Sequence, residues 1–194
     1  REKVAAMNRR LAERYARHPA VIGWHISNEF GGACYCSLCE EAFRRWLRNK
    51  YGTLDALNRA WWTAFWSRTF TDWSQIQPPA SHGERTLHGL NLDWKRFVTD
   101  QTVDFYRHEV APLKAVNPEL PATTNMMFNY EGLNYRKFAG VVDVVSWDAY
   151  PTWHESPDNS RVAAWFALNH DLFRTLKGRP FVLMESTPSQ TNWQ

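Results

Sequence analysis

The sequence contains no apolar run near the ~18 residues of a membrane-spanning helix, which argues against a transmembrane protein. It also has no excess of charge of one sign. Its 23 Lys and Arg residues stand against 20 Asp and Glu residues, and both kinds are scattered. We therefore expect neither a nucleic-acid partner nor a membrane surface. Repeats are missing, and no glycine-rich phosphate loop follows any predicted strand, so the sequence offers no sign of an organic cofactor.

The composition is that of a globular protein, with 44% hydrophobic and 22% charged residues among 194. The chain begins at Arg1 inside a helical pattern and ends at Gln194 shortly after an apolar strand. We therefore expect residues 1–194 to be part of one larger domain. We expect a cytoplasmic protein, although a signal peptide could have preceded Arg1.

Short apolar runs alternate with segments of helical periodicity along the chain. We predict strands at residues 21–27, 121–128, 141–150 and 181–184, and helices at 3–17, 38–51, 54–65, 91–117, 134–139 and 162–176. Strand, helical crossover and strand in repetition predict an α/β fold with a parallel sheet and outer helices. Four strands fit about half of a (β/α)8 barrel, also called a TIM barrel, which usually needs ~250 residues. The pattern alone leaves an open doubly wound sheet as the alternative.

Two glutamates, Glu29 and Glu185, directly follow predicted apolar strands. The C-terminal ends of parallel strands are where functional groups collect in α/β folds. Paired carboxylates across one cleft are typical of glycoside hydrolysis, in which one protonates the leaving oxygen and the other attacks the sugar or activates water. Each glutamate could instead be the first polar residue of a loop. For Asp148, at the end of another strand, we expect a structural role.

The 11 tryptophans have two possible roles, in the core or in a sugar pocket. Flat indole faces pack well against the C–H face of a pyranose ring. Spacing favours the core for most of them, on helices for Trp46, Trp61, Trp94 and Trp165 and on strands for Trp24 and Trp147. Spacing leaves Trp66 and Trp193 undecided. The seven histidines have no metal-ligand spacing, and His25 is expected in the core or behind the site.

Three cysteines, Cys34, Cys36 and Cys39, lie in one loop that leads into a helix. An odd count and a one-residue separation disfavour disulfides. Three thiolates at this spacing can converge on a tetrahedral Zn²⁺ with one ligand missing. From the residues alone, a zinc site and unligated thiols both remain open.

The segment 18–29 (HPAVIGWHISNE) resembles the acid/base segment of the clan A retaining glycosidases. Further segments resemble glycoside hydrolase family 42, the β-galactosidases: residues 34–39, 43–47, 51–54, 57–58, 61, 64–67, 146–151, 184–188 and 193. The resemblance covers nearly the whole chain. It implies a TIM barrel of which this chain holds roughly strands four to seven.

The resemblance also implies roles for individual residues. Glu29 corresponds to the general acid/base and Glu185 to the nucleophile of a retaining enzyme that releases terminal β-D-galactose. The implied substrate-binding residues are Asn28, Trp66, Tyr150 and Trp193. The implied cofactor is a structural zinc on Cys34, Cys36 and Cys39, with a fourth cysteine upstream of Arg1.

The resemblance further implies a β-galactoside or oligosaccharide substrate and a homotrimeric parent enzyme, of which the isolated segment would be inactive. Two other readings stay open at this point. One is a clan A glycosidase on another β-linked sugar, such as an arabinoside, fucoside or glucoside. The other is a non-catalytic carbohydrate-binding relic or zinc-stabilised module, which would need neither acid nor nucleophile.

Overall fold

The computed structural model describes residues 1–79, 86–153 and 158–187, apart from the side chain of Trp66. The chain divides into two compact units, Arg1–Gly31 with Thr102–Gln194, and Gly32–Gln101. The helices are α1 (Glu2–Tyr15), α2 (Ser37–Tyr51), α3 (Leu54–Trp61), α4 (His88–Lys114), α5 (Tyr135–Ala139) and α6 (Asn159–Thr175). The strands are β1 (Trp24–His25), β2 (Ala122–Thr123), β3 (Asn125–Met127), β4 (Ser146–Ala149) and β5 (Val182–Ser186). Two 3-10 turns lie at Thr63–Trp66 and Trp73–Gln75.

The first unit contains all five described strands, and every pairing between them is parallel. Strand β1 pairs with β2, and β3 pairs with β4, which pairs with β5. Only Thr124 separates β2 from β3, so these two form one interrupted strand. Each strand therefore neighbours the next one along the chain. This order is that of a barrel, whereas a doubly wound sheet reverses its order at a switch point.

Side chains at helix N-termini explain where several helices begin. The Asp158 carboxylate accepts hydrogen bonds from the Ser160 and Arg161 backbone N–H groups at the start of α6. Thr53 accepts one from Ala56 at the start of α3, and Asn134 caps α5 in the same way. Such caps satisfy backbone donors that the first helical turn leaves unpaired.

The second unit has an apolar core that joins α2, α3 and the first half of α4. Its buried members include Phe43, Leu47, Leu57, Ile76, Leu90 and Phe97, together with Trp61 and Trp94. The Trp94 ring contacts the Phe43 ring edge-on, with centroids 5.0 Å apart. These two tryptophans confirm the expectation of core positions.

The helices and strands lie near the segments that the sequence pattern predicts, and three of the four predicted strands are shorter than expected. The fourth, predicted at 181–184, spans Val182–Ser186 and therefore contains Glu185. The predicted strand 21–27 reduces to Trp24–His25, because only these two residues find partners in the ladder with β2. The predicted strand 141–150 reduces to Ser146–Ala149 for the same reason. An apolar run marks burial, whereas a strand also requires a hydrogen-bonded neighbour.

No described helix combines the length and the apolar character that crossing a membrane would demand.

Candidate active site

Three carboxyl groups meet at the C-terminal ends of the parallel strands. Glu29 follows β1, Asp148 lies in β4 and Glu185 in β5. One carboxylate oxygen from each lies within 4.8 Å of the others. The fold thus brings together two glutamates that are 156 positions apart in the sequence (185 − 29). Carboxyl groups this close can face the same small ligand.

An irregularity in the β4–β5 pairing brings Glu185 to this cluster. The register aligns Trp147 with Leu183, but then Asp148 with Glu185, so Met184 is skipped. Successive residues of a strand point to opposite faces, and one extra residue reverses which of them point inward. The bulge therefore puts Glu185, and not Met184, level with Asp148.

The turn after β1 holds Glu29 in an unusual backbone conformation. Both Ser27 (φ 53°) and Glu29 (φ 42°) lie in the left-handed region, which non-glycine residues seldom adopt. The Ser27 hydroxyl lies 3.0 and 3.1 Å from the two carboxylate oxygens of the buried Glu109, to which it donates. Strain of this kind costs about 1–3 kcal/mol per residue and persists only where neighbouring contacts hold the backbone in place.

The side chain of Asn125 contacts two of the three carboxyl groups and is 1% exposed. Its Nδ2 donates toward Asp148 Oδ2 (2.7 Å), Glu185 Oε1 (3.1 Å) and Asn28 Oδ1 (2.9 Å). Its Oδ1 accepts from the Glu29 backbone N–H at 3.0 Å. One amide thus contacts the residues that follow or end three different strands.

The pKa values of Asp148 and Tyr150 are both raised, for different reasons. Burial, the adjacent Glu29 carboxyl and the charge of Glu185 together raise the pKa of Asp148 to about 7. The Tyr150 hydroxyl donates to Glu185 Oε2 at 2.6 Å. That hydrogen bond, with burial second, raises the pKa of Tyr150 to about 12, so the phenol stays a donor at neutral pH.

A pocket of about 430 Å³ opens beside the carboxyl groups. Glu29, Asp148 and Tyr150 contribute its polar lining, and the remaining lining residues are Met127, Phe128, Thr152, Trp165 and Phe166. Its size and its mixed apolar and polar wall suit a sugar ring. The expectation of a core position for Trp165 is wrong: the residue is 43% exposed and lies beside Phe128, with ring centroids 5.5 Å apart. Helical spacing identifies a face but does not tell whether that face meets a core or a pocket.

The sequence-predicted site residues fall into two groups. Glu29, Glu185, Asn28 and Tyr150 come together around Asn125 and Asp148. Trp193 lies outside the described residues. Trp66 belongs to the 3-10 turn Thr63–Trp66 of the second unit, and its side chain lies outside the description.

The three cysteines also come together. The Sγ atoms of Cys34, Cys36 and Cys39 all lie within 4.8 Å of one another, and the thiols form no disulfide. Hydrogen bonds from the Cys39 backbone and the Cys34 side chain lower the pKa of Cys36 to about 7. Burial and the two neighbouring thiols raise the pKa of Cys39 to about 12.

Sequence reasoning missed Asn125 and understated Asp148. Asn125 is a polar residue inside a predicted apolar strand, next to Met126, and that contrast is the signal that could have found it. The sequence favours a structural role for Asp148, yet its carboxyl group lies beside those of both glutamates. Neither contact could be derived without the pairing of β3 with β4.

Known proteins resemble this chain over its whole length. The sequence profile of the Glyco_hydro_42 family, described as Beta-galactosidase, matches residues 1–194. Beta-galactosidase BglY of Alicyclobacillus acidocaldarius is 66% identical over 100% of this chain and 28% of its own length. Beta-galactosidase GanA of Bacillus subtilis is 56% identical, over 100% of this chain and 30% of its own length.

A crystal structure of a β-galactosidase from a Rahnella species superposes with a TM-score of 0.96 at 61% identity. The match covers 100% of this chain and 29% of that one. The chain therefore spans less than a third of the length of these relatives. The parallel strands and their helices are part of a (β/α)8 barrel, as the family resemblance implies.

A profile match over every residue, relatives at 56% and 66% identity and a near-identical backbone all agree: the chain belongs to glycoside hydrolase family 42.

Proposed function

We propose that this chain supplies the catalytic carboxylates of a β-galactosidase that hydrolyses terminal β-D-galactosides with retention of configuration. The supporting observation is the approach of Glu29 and Glu185, whose carboxylate oxygens lie within 4.8 Å of each other. Residues 1–194 would then be part of one catalytic barrel domain. The identity of the relatives as β-galactosidases favours galactose over an arabinoside, fucoside or glucoside.

In the first step, the Glu185 carboxylate attacks the anomeric carbon while the Glu29 carboxyl transfers its proton to the departing glycosidic oxygen. The Tyr150 hydrogen bond orients Glu185 for this attack. In the second step, water attacks the galactosyl ester, Glu29 accepts the water proton and Glu185 leaves as a carboxylate. Asn28, next to Glu29, is the candidate partner of the sugar hydroxyl beside the reacting carbon, and Trp66 and Trp193 are candidate walls of the galactose pocket.

The anomeric products of two alanine variants test these roles in the intact enzyme. With azide present, Glu185→Ala should convert an activated aryl β-galactoside to the α-galactosyl azide, because azide replaces the missing nucleophile. Glu29→Ala should instead give the β-galactosyl azide, because azide then attacks the intermediate without help from a base. Proton NMR of the unmodified enzyme should detect β-galactose as the first product.

Glu119→Ala, on an exposed glutamate of the same unit, is the matched control and should keep normal turnover. If Glu185→Ala retained the rate of the unmodified enzyme, the nucleophile assignment would be wrong. A first product with α configuration would contradict retention. Rates on aryl arabinosides, fucosides and glucosides would reveal a different preferred sugar. A carbohydrate-binding relic would bind galactose without hydrolysing any of these substrates.

We also propose that Cys34, Cys36 and Cys39 bind a structural zinc ion. A Zn–S distance of ~2.3 Å in a tetrahedron implies S···S distances of roughly 3.8 Å, and sulfur atoms within 4.8 Å of one another are compatible with that. Thiolates fill structural sites and leave no open position, so the ion would stiffen the loop before α2 and take no part in hydrolysis. The family resemblance assigns the fourth ligand to a cysteine upstream of Arg1.

Family membership is also the basis for expecting a homotrimer, with a β-galactoside as its partner molecule and the cytoplasm as its location. Sedimentation equilibrium of the intact enzyme tests the trimer, because it reports the mass of the assembly directly.

A further inference from the structure

We propose that Asn125 is a positioning residue that fixes the acid/base Glu29 and the nucleophile Glu185 relative to each other, an inference that rests on the proposed function. The residue opens β3 and is buried, whereas the glutamates follow or end other strands. The sheet fixes the position of this amide, and an amide that bonds to both residues would in turn fix the positions of the two reacting groups.

The carbonyl side of the amide fixes its orientation. A backbone N–H can only donate, so the atom of Asn125 that lies 3.0 Å from the Glu29 nitrogen must be the oxygen Oδ1. His25 Nε2 also lies 2.9 Å from Oδ1 and must therefore carry a proton. The Glu29 turn is thus held through its own backbone, which matters because its φ of 42° is unfavourable.

The amino side then faces the carboxylates. Nδ2 carries two protons and has three oxygen acceptors within 3.1 Å, on Asn28, Asp148 and Glu185. Hydrogen bonds to ionised acceptors are stronger than those to neutral ones, and burial strengthens them further. Asn125 therefore holds Glu185 Oε1, while Tyr150 holds the other oxygen of the same carboxylate. Between them, the two donors leave the Glu185 carboxylate little freedom to rotate.

The isosteric variant Asn125→Asp tests this role in the intact enzyme. An aspartate carboxylate keeps an acceptor for Glu29 and His25, but it loses both donors and adds a negative charge beside Glu185. We expect kcat for an aryl β-galactoside at neutral pH to fall about 100-fold, the loss that a small misplacement of a reacting group can cause. KM should change little, because the loss falls on the transition state.

Acid pH should partly restore the variant. A protonated aspartate again offers one donor and one acceptor, so the activity of Asn125→Asp should rise as the pH falls below the optimum of the unmodified enzyme. A residue that only fills space would leave the shape of the pH profile unchanged. Ser146→Ala is the matched control, because Ser146 is also fully buried in the sheet and its hydroxyl contacts the Thr124 carbonyl and the Thr123 hydroxyl. Its profile should follow that of the unmodified enzyme.

Asn125→Ala keeps the test decisive if the aspartate variant does not fold. It removes donors and acceptor together and should lower kcat about 100-fold at every pH, without recovery in acid. If a folded variant at position 125 keeps the normal kcat and pH profile, the positioning role is refuted while the proposed function stands. An unmodified enzyme that hydrolyses no aryl β-glycoside would refute the proposed function and this inference together.

Discussion

Asp148 is the residue whose environment departs most from that of an ordinary carboxylate. It is 5% exposed, and its Oδ1 has no hydrogen-bond partner among the described residues. One carboxylate oxygen of Glu29 and one of Glu185 lie within 4.8 Å of an Asp148 carboxylate oxygen. Burial, the adjacent Glu29 carboxyl and the charge of Glu185 raise the pKa of Asp148 to about 7, so this carboxyl binds a proton more readily than an ordinary aspartate does.

Replacement of Asp148 by asparagine should make the stability of the protein less sensitive to a rise in pH from acid to neutral. A carboxyl whose pKa rises from 3.8 to about 7 on folding binds its proton more tightly in the folded state. Its contribution to stability is therefore complete below pH 3.8 and is lost as the pH rises through 7. The thermal midpoint of Asp148→Asn, relative to that of the unmodified enzyme, should rise between pH 4 and pH 8. A difference that stays constant over this range would contradict a protonated Asp148.

The Tyr150→Phe variant isolates the hydrogen bond to Glu185. Phenylalanine keeps the ring but loses the hydroxyl that donates to Oε2 at 2.6 Å. A hydrogen bond to a charged group is worth ~1.5–3 kcal/mol, so kcat should fall about 10- to 150-fold. Steady-state kinetics on an aryl β-galactoside measure this, with the thermal midpoint as the control for folding. An unchanged kcat would mean that the Tyr150 hydroxyl does not contribute to the reaction.

At the scale of elements, a buried aspartate connects three helices of the second unit. The Asp93 side chain, on α4, is 1% exposed and bonds to Lys50 and Tyr51 of α2 and to Trp61 of α3. Burial alone would raise its pKa, but the hydrogen bonds from these residues and from Arg96 together lower it. The network thus adds directional contacts to a core that is otherwise apolar.

Asp93→Asn should destabilise the protein most at neutral pH. A folded pKa below 3.8 means that the stabilisation is present above pH 3.8 and is lost as the pH falls through the folded value. We expect the free energy of unfolding to fall by about 1–3 kcal/mol at pH 7, because a neutral amide bonds to Lys50 and Arg96 more weakly than a carboxylate does. The loss should become smaller in acid. Thermal melts from pH 2 to pH 7 measure it. Asp104→Asn, at an exposed pair with Arg1, is the control and should change stability little.

A comparison of the predicted and observed helices and strands shows what the sequence pattern could predict. Helices are local, so the apolar spacing of α2 and α3 located them closely. Strands depend on a partner that the sequence does not mark. The break at Thr124 and the bulge after Trp147 were therefore not predicted, although the bulge decides which residue faces Asp148.

At the scale of the whole molecule, the apolar core and the cysteine cluster of the second unit belong to a long excursion between β1 and β2. Its described residues form helices and turns and contribute no strand to a sheet. A metal ion that crosslinks the loop at Cys34, Cys36 and Cys39 would compensate for that. The family resemblance and the closeness of the three sulfur atoms both support this proposal.

Removal of zinc should therefore lower stability without abolishing hydrolysis directly. Elemental analysis of the intact enzyme should find about one zinc per chain, and Cys36→Ser should lower that content. A chelator should reduce the thermal midpoint of the unmodified enzyme but not that of the Cys36→Ser variant, because the variant has no ion left to lose. An unmodified enzyme without bound metal would leave the three thiols unligated.

The sequence by itself determined the alternation of strands and helices and the family, and it singled out Glu29 and Glu185 as candidate carboxylates, because local periodicity and contiguous motifs carry that information. Only the tertiary structure decided that Asn125 and Asp148 contact or lie beside the two glutamates and that Trp165 lines a pocket. Those facts depend on strand register and on which face of a helix meets its neighbour. Register is set by hydrogen bonds between residues distant in the chain, and a shift of one residue would turn Glu185 to the opposite face.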